Sequence, residues 1–431
     1  MKYNRNNISR IFSVTAIALL GLFLAACEDQ PDKFEVTDGM PTVKYVRMAS
    51  LAASDSLIEG AYMANTICLV GDNLRSIYEL YFNDQKAILN TSLMTDHTLI
   101  VDVPKTIPTD VTNKIYMINM AMDTVTYDFK VLVPAPVVSS MSNEYAKPGT
   151  VATIYGDYLL DDPNVPLEII FPGNVSVTEF LSYSKTSVRF VVPEGASLSG
   201  NVTVKSIYGS GRSGFQYMDV RGFLFDWDGE KGMAAAHGWR NGVVSNSTEG
   251  IVPLDGNYVV FSGDLDNTAW PDEDRQSFNY WPEPEKGYPE LSTLFDVEDW
   301  QNMLIKFECF IPTTTPWTTT SLQMIFTNST EIWNEAGDSY DNSYIGNDEK
   351  PRGLWTPWLT TGSYDTGNEW VTVTIPLSNF IYSRYGAASA NSLNKDSFTG
   401  LTFILYAGPQ NVGVNGPILM GIDNIRIVPA K

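Results

Sequence analysis

An internal repeat is the feature that most limits the folds open to this chain. The segment TICLVGDNL at 66–74 recurs as ATIYGDYLL at 152–160, and LIVDVP at 99–104 recurs as VRFVVP at 188–193. The two copies are offset by about 85 to 89 residues, which is the length of a small β-sandwich domain. Short alternating runs such as TLIVDV and SVRFVV, bounded by turn residues, indicate strands. The repeat therefore predicts two consecutive β-sandwich domains.

The tryptophans mark the last part of the chain as a different kind of domain. All ten lie between Trp227 and Trp370, and none occurs in the repeats. The strand-like segments of this part are FLFDW, GNYVVFSG, NMLIKFECF, SLQMIF, EWVTVTIPL, GLTFILYAG and GIDNIRIVP. Many short strands separated by long loops are typical of a two-sheet jelly roll. We therefore predict an all-β chain, in which domains at 42–134 and 135–220 precede a C-terminal β-sandwich at 221–431.

The N-terminus has the pattern of an export signal. Lys2, Arg5 and Arg10 precede an apolar stretch of about 16 residues that ends in small residues. This pattern predicts a signal peptide over 1–26, and the polar residues after it predict a tether over 27–41. The alternative is a membrane-anchoring helix, but such a helix needs about 20 apolar residues.

The residues at the predicted cleavage site carry a resemblance to exported lipoproteins. LAAC at 24–27 resembles a bacterial lipobox, which implies that Cys27 is lipidated and becomes the first mature residue. The following Glu28 and Asp29 resemble the acidic export tag of Bacteroidota lipoproteins. The resemblance implies a lipid-anchored protein on the outer face of the outer membrane.

Composition limits the kinds of partner. An apolar content of 44% with only 18% charged residues is that of a core-forming globular protein. The net charge of −22 disfavours nucleic acid, because phosphate binding needs clustered Lys and Arg. A neutral partner fits this charge better. Cys68 and Cys309 each lie among apolar residues, so we expect buried free thiols and no disulfide.

Aromatic residues in loop-like segments are the candidates for binding. Tyr280 and Trp281 stand side by side in QSFNYWPEPEKGY, where the prolines and acids predict a loop that exposes both rings. An exposed aromatic ring suits the apolar C–H face of a β-linked sugar. The other tryptophans in loop-like contexts are Trp239, Trp270, Trp317, Trp333, Trp355 and Trp358, whereas Trp227, Trp300 and Trp370 lie in or beside strands and are expected to fill the core.

Several of these motifs resemble known families. Gly71 to Leu74 (GDNL), and more loosely Gly156 to Leu159 (GDYL), resemble the turn of IPT/TIG immunoglobulin-like domains, where glycine would permit a positive φ. GW, GNYVVF and DNIRIV resemble jelly-roll carbohydrate-binding modules. The order of lipobox, tandem repeats and aromatic domain resembles the surface glycan-binding proteins of the SGBP-B, xyloglucan-binding type, whose genes accompany SusC/SusD-like transporters.

The resemblance implies a function and a site. It implies non-catalytic capture of a neutral β-glucan and its delivery to a SusC/SusD-like transporter. Xyloglucan is the first candidate for the ligand, and mixed-linkage β-glucan, laminarin and mannan are the alternatives. In the xyloglucan-binding relatives an adjacent Tyr and Trp form a platform with an earlier Trp. Tyr280 and Trp281 match that dipeptide, Trp239 is the expected earlier residue, Trp270 is the alternative, and Trp333 is a further candidate.

Other functions have less support from the residues. The chain has two histidines, His97 and His237, which supply a His-rich metal site or a Ser-His-Asp triad poorly. A glycoside hydrolase needs only two carboxylates, but no Glu-x-Asp-x-x-Glu motif occurs, and we predict no enzyme. A cell-surface adhesin or scaffold stays open as the rival, since protein interfaces also enrich aromatic residues. Asp226, Asp228 and Asp423 suggest a structural calcium ion without defining its ligands.

Overall fold

The chain divides into two compact units, Met1–Pro134 and Ala135–Lys431. The structure, a computed structural model, describes residues 34–430 except for 54, 164, 334–342 and 410–411. The predicted signal peptide, lipidation at Cys27 and the first part of the predicted tether, residues 27–33, lie outside the described residues. Within the part that is described, no helix is both long and apolar enough to cross a membrane.

The first unit contains one β-sandwich. One sheet has the order β1-β3-β6, the other has the order β5-β4-β7-β8, and β2 pairs with β9 in parallel. Short 3₁₀ helices lie at Leu51–Ala53, Leu74–Ser76 and Thr91–Leu93. The strands are β1 (Thr42–Met48), β2 (Gly60–Tyr62), β3 (Thr66–Asp72), β4 (Ile77–Phe82), β5 (Gln85–Lys86), β6 (Thr98–Asp102), β7 (Lys114–Asn119), β8 (Thr124–Asp128) and β9 (Lys130–Leu132).

The second unit begins with another sandwich of the same kind. Its sheets have the orders β10-β11-β15-β14 and β13-β12-β16-β17. Alternate residues of the facing strands form its core, for example Ile154, Ile169 and Phe190. The strands are β10 (Val137–Met141), β11 (Val151–Asp157), β12 (Glu168–Phe171), β13 (Val175–Ser176), β14 (Phe180–Tyr183), β15 (Ser187–Val191), β16 (Thr203–Ser206) and β17 (Gly209–Arg212).

The repeated glycine serves a close approach between strands. A Cβ atom on Gly71 would lie 1.7 Å from the Thr42 carbonyl oxygen, and one on Gly156 would lie 1.8 Å from that of Val137. The positive φ expected at this turn occurs instead two residues later, in both repeats. The glycine is therefore needed for strand contact rather than for backbone conformation.

The Trp-rich domain folds as two stacked sheets. Its larger sheet has the order β19-β20-β27-β22-β25 with β18 also paired to β27, and its smaller sheet has the order β21-β26-β23-β24. The strands are β18 (Phe223–Phe225), β19 (Val243–Ser245), β20 (Tyr258–Leu265), β21 (Ser277–Tyr280), β22 (Met303–Phe310), β23 (Ser321–Thr327), β24 (Gly353–Trp355), β25 (Val371–Pro376), β26 (Gly400–Tyr406) and β27 (Gly416–Pro429).

Helices are short in this domain and lie in its loops. The α-helices are α1 (Glu273–Gln276), α2 (Ser329–Ile332) and α3 (Ser343–Gly346). The 3₁₀ helices are Pro284–Lys286, Leu291–Thr293, Val297–Asn302, Pro357–Leu359, Leu377–Asn379 and Lys395–Ser397. Each of the seven strand segments read from the sequence contains a strand, and the all-β prediction is confirmed. Cys68 and Cys309 are buried free thiols, as predicted.

The second sandwich and the Trp-rich domain share a packed joint inside the second unit. On β22 and β27, Phe307 and Ile425 face the core between the sheets, so Glu308 and Arg426 face the other way. Arg426 donates to Glu308 at 2.8 Å and to Glu144 of the second sandwich at 2.9 Å. Apolar residues of both parts surround these charges, including Tyr145, Phe223, Tyr258, Phe310 and Trp370.

Candidate functional site

The adjacent aromatic residues of β21 and its end are buried, which makes the prediction of an exposed pair wrong. Tyr280 lies in the core between the sheets, where its hydroxyl donates to the Pro289 carbonyl oxygen at 2.6 Å. Burial raises the pKa of Tyr280 well above its ordinary value. Trp281 lies on the opposite face of the sheet, and both residues are 0% exposed. Neither ring has a free face for a ligand in this arrangement.

The two rings are buried because Ser277–Tyr280 forms a β-strand, although the prolines that follow it predicted a loop. Phe278 and Tyr280 face the core, while Ser277 and Asn279 face the other side, which is the period of two of a β-strand. The hydroxyl of Tyr344 and that of Thr402 accept hydrogen bonds from the Asn279 amide. The strand therefore satisfies its buried polar side chain and holds both aromatic neighbours in place.

Trp281 belongs to an apolar cluster on the outer face of the smaller sheet. The neighbours of Ile404 on β26, such as Phe403 and Leu405, face the core, so Ile404 itself faces outward. We call this set the outer cluster. It consists of Trp281, Ile325, Ile332, Tyr344, Ile345 and Ile404, with Trp333 and Tyr406 packed against it.

Trp239 is an exposed ring at one border of the outer cluster. It is 57% exposed, and its ring centroid lies 5.5 Å from that of Trp281 in an edge-to-face arrangement. The segment that carries it follows the edge of β21: the Trp281 N–H donates to the His237 carbonyl oxygen, and the Asn279 N–H donates to the Arg240 carbonyl oxygen, each at 2.7 Å. The backbone on both sides of Trp239 is therefore fixed.

Trp270 is a second exposed ring at the border of the same cluster. It is 49% exposed, and its ring centroid lies 4.7 Å from that of Tyr406. Its indole N–H donates to the Glu273 carboxylate in the first turn of α1. The ring is thus held by one packing contact and one hydrogen bond while much of its surface stays in solvent.

An ion pair between a buried arginine and a partly exposed glutamate connects the backbone of one exposed ring to the side chain of the other. Arg240, which follows Trp239, is 4% exposed and donates to Glu273 at 2.6 Å. Burial would raise the pKa of Glu273, but hydrogen bonds from Arg240 and Trp270 outweigh burial and lower that pKa below its ordinary value. Glu273 therefore stays ionised at neutral pH and keeps both contacts. We call Trp239 and Trp270 the exposed tryptophan pair.

The segment that covers the outer cluster is fastened by a buried arginine. Arg352 is fully buried and donates to the Gln323 side chain at 2.7 Å and to the carbonyl oxygens of Ile345 and Asn347 at 3.1 and 2.7 Å. Burial lowers the pKa of Arg352 to about 10. These bonds hold α3 against the sheet, so the outer cluster keeps a defined border.

The remaining tryptophans are placed in three ways. Trp333 is partly buried beside the outer cluster, at the end of α2. Two tryptophans from predicted loops fold back into the core: Trp317 donates to the Thr319 carbonyl oxygen at 2.5 Å, and Trp358 donates to that of Thr320 at 2.8 Å. Trp355 is partly buried against the same core. Of the expected core residues, Trp227 and Trp370 are buried and Trp300 is partly buried.

The three aspartates considered for calcium all accept hydrogen bonds from protein N–H groups, and Asp423 accepts that of Asn424. The Asp226 carboxylate accepts the N–H groups of Gly229, Glu230 and Lys231 at 2.5 to 2.9 Å. Asp228 accepts the backbone and side-chain N–H groups of Asn257. These hydrogen bonds give both carboxylates a role in stabilising the turns around them.

Three contributors to the site were not predicted. Arg240 and Glu273 position the exposed pair, and Tyr406 supports the Trp270 ring. A signal for two of them was present, since Arg240 directly follows Trp239 and Glu273 is three residues after Trp270. Tyr406 carried no such signal, because its contact depends on the pairing of β26.

Comparisons with known proteins bear on the same domain. Residues 217–429 match the family described as surface glycan-binding protein B xyloglucan binding domain. The chain is similar to the crystal structure of the surface glycan-binding protein PbSGBP-B from Prevotella bryantii, with 38% identity, a TM-score of 0.82, and coverage of 91% of this chain and 100% of that one. An IPT/TIG domain-containing protein from Bacteroides ovatus is 27% identical over 185 residues, which are 41% of this chain and 37% of that protein. The match spans little more than a third of that curated relative.

Proposed function

Because the chain belongs to the family of surface glycan-binding proteins of the SGBP-B type, we propose that it binds a neutral β-glucan at the cell surface through the exposed tryptophan pair. The observation that carries the proposal is the geometry of this pair. Trp239 and Trp270 are about half exposed, border one apolar cluster, and are linked by the Arg240–Glu273 ion pair. Their half-exposed rings are available for stacking on sugar.

The support of the two rings matters for affinity. A ring that is already fixed loses little side-chain entropy when it meets its ligand. Trp239 rests on Trp281, and Trp270 rests on Tyr406 and donates to Glu273. The buried Trp281 therefore contributes by holding Trp239 rather than by touching the sugar.

Charge and family together narrow the ligand. A net charge of −22 repels anionic polysaccharides and leaves neutral ones as partners. The matched family model is named for xyloglucan, which makes xyloglucan the first candidate for this chain. Mixed-linkage β-glucan, laminarin and mannan are the alternatives that a binding test must separate.

A panel of polysaccharides tests the proposed binding. The purified protein should be retarded in native gels that contain xyloglucan, and it should release no new reducing ends from that polymer. The reason is that aromatic rings bind the face of a sugar, whereas hydrolysis also needs a carboxylic acid and a carboxylate placed on either side of the glycosidic bond. Retardation by mixed-linkage glucan, laminarin or mannan alone would reassign the ligand. Sustained release of reducing ends, or no retardation by any polymer, would contradict the proposal.

The cellular setting completes the proposal. Lipid on Cys27 anchors the protein in the outer membrane, the repeats hold the binding domain away from the lipid, and the captured glycan passes to a SusC/SusD-like transporter. The LAAC motif and the acids after it support this arrangement. Family membership supports a surface location, and the transfer to a transporter rests on the resemblance alone.

Replacing the lipidated residue tests the anchor. In a Cys27→Ala variant the protein should lose its lipid and leave the outer-membrane fraction, because the acyl chains on that cysteine would provide its membrane affinity. Fractionation and mass spectrometry of the N-terminus measure both effects. A Cys68→Ala variant is the control and should stay in the membrane, since that thiol is buried in the first sandwich. Retention of the Cys27→Ala variant in the membrane would show that another segment anchors the chain.

A further inference from the structure

A histidine connects the segment that carries one exposed tryptophan to the end of β21. His237 lies two residues before Trp239, and its side chain is 23% exposed. Its ring nitrogen Nδ1 lies 2.8 Å from the Trp281 carbonyl oxygen, and its Nε2 lies 2.9 Å from a carboxylate oxygen of Glu283. The His237 carbonyl oxygen also accepts the Trp281 N–H at 2.7 Å. Both backbone polar groups of Trp281 are therefore bonded to His237.

These contacts determine the charge of the ring. A carbonyl oxygen and a carboxylate oxygen can only accept hydrogen bonds, so each ring nitrogen of His237 must donate to its partner. A neutral imidazole has one N–H group, whereas a protonated imidazole has two. The geometry of His237 with Trp281 and Glu283 is therefore that of a charged ring. Loss of the proton would turn the lone pair of one nitrogen toward an oxygen and leave that oxygen without its donor.

The groups packed around the ring favour this charge. Tyr288 stacks on the imidazole with 3.8 Å between the ring centroids and 13° between the ring planes, so its π face meets a cation. Glu283 is 19% exposed and supplies the opposite charge, and it also accepts from Lys286 at 3.0 Å. Glu285 lies near Lys286 on the same loop. Two acids and two cations are thus balanced when His237 is charged.

The His237 ring influences Trp239 through its neighbours. Trp281 follows the last residue of β21, and its ring packs against that of Trp239 with the centroids 5.5 Å apart. Gly238, between His237 and Trp239, passes so close to β21 that a Cβ atom on it would lie 2.8 Å from that of Asn279. The place of the Trp239 ring therefore depends on the bonds that hold His237 and Trp281 together.

From this geometry we infer that charged His237 is a positioning residue for Trp239, so that affinity for a neutral glucan falls as the pH rises and the ring loses its proton. The inference rests on the proposed binding through the exposed tryptophan pair. Histidine is the side chain whose charge ordinarily changes between about pH 5 and about pH 8, and a neutral glucan has no group that titrates there. Glu273 stays ionised above this range because its pKa is lowered, so it adds no pH dependence of its own.

Affinity measured against pH tests the inference. By isothermal titration, the full chain should bind a xyloglucan oligosaccharide at least about fivefold more weakly at about pH 9 than at about pH 6, the lower end of the usual coupling between sites. His237→Gln should bind weakly at both pH values, because its amide does not titrate. His97→Gln is the matched control and should keep the profile of the parent, since the chain's other histidine lies in the first sandwich.

Replacing the acid separates the charge of the ring from its hydrogen bonds. In Glu283→Gln the amide can accept from a charged His237 ring or donate to a neutral one, so both forms of the ring keep their partners. This variant should therefore have one affinity at both pH values, and at the higher pH it should bind more tightly than the parent. A Glu283→Gln variant with the pH profile of the parent would contradict the inference.

A measurement without glycan separates the inference from the proposed function. In nitrogen-15 NMR spectra of the full chain labelled at histidine and tryptophan, the His237 ring and the Trp239 indole N–H should change at the same pH. The variants His237→Gln and Trp239→Ala assign the two signals. If these signals change together and no glucan binds, the proposed function is wrong and the positioning role stands. The inference is overturned if the Trp239 signal does not follow His237, or if a parent that binds glucan does so equally at both pH values.

Discussion

Replacing Trp239 with alanine should weaken binding of the preferred glucan about thirtyfold, which corresponds to roughly 2 kcal/mol, and should leave Tm within about 2 °C of the parent. The loss is large because glycan contacts are few and this ring offers a broad apolar face to the sugar. The fold is unaffected because more than half of the side chain is already in solvent. Isothermal titration with an oligosaccharide and thermal unfolding measure the two quantities.

Trp281→Ala is the matched comparison for this result. The ring of Trp281 packs edge to face against that of Trp239 and is 0% exposed, so its removal leaves a cavity in the outer cluster. Large-to-small substitution of a buried Trp costs about 3 to 5 kcal/mol of unfolding free energy. Weak binding together with a normal Tm is therefore expected only for the exposed ring.

Trp270→Ala extends the test to the other half of the exposed pair. If both rings stack on one glycan chain, its effect on affinity should resemble that of Trp239→Ala, again without a change in Tm. If the two exposed variants bind normally, the exposed pair is not the glycan surface. The partly buried Trp333 would then be the next position to examine.

The sequence predicted the strands better than it predicted the exposed rings, for a physical reason. A strand is a local pattern of alternation, and the segments around Phe307, Phe403 and Ile425 show it without knowledge of their partners. Exposure depends on what packs over a residue. Trp317 and Trp358 lie in proline-containing loops, yet their indole N–H groups find carbonyl oxygens in the core.

The family was recognised from order and motif, and that recognition is confirmed. Membership in a family of glycan-binding proteins also confirms the prediction that the chain is not an enzyme. The glycan-binding residues were harder to predict, because the resemblance at the site rested on only two adjacent residues. Tyr280 and Trp281 occupy opposite faces of a sheet, a fact that follows from the pairing of β21 with β26 and not from the two residues themselves.

The other large effect is a loss of stability, expected when the joint between the second sandwich and the Trp-rich domain loses its central cation. Replacing Arg426 with methionine should lower the unfolding free energy of the second unit by about 3 to 5 kcal/mol. The guanidinium group is fully buried and serves both Glu308 and Glu144, whereas methionine leaves Glu308 as a buried charge without its main partner. Chemical denaturation followed by tryptophan fluorescence reports on this unit, because all ten tryptophans lie in it.

The pH dependence of this variant has a definite sign. Burial already raises the pKa of Glu308 in the parent, and Arg426 opposes that rise. Without Arg426 the pKa rises further, so the folded variant takes up a proton that the unfolded chain binds less tightly. A folded-state pKa above the unfolded value gives stability that is present at low pH and lost as pH rises through it. The loss of unfolding free energy caused by Arg426→Met should therefore be smaller at about pH 5 than at about pH 8.

Two further variants decide whether the buried charge is the cause. Arg189→Met removes an ion pair with Glu369 that connects the same two parts at the surface, where both side chains are about half exposed. Exposed pairs contribute about 0 to 1 kcal/mol, so this variant should unfold almost as the parent does. The double variant Arg426→Met with Glu308→Gln removes the unpaired charge and should recover part of the loss. Equal effects of Arg426→Met and Arg189→Met, or no recovery in the double variant, would show that the buried charge network does not hold the joint.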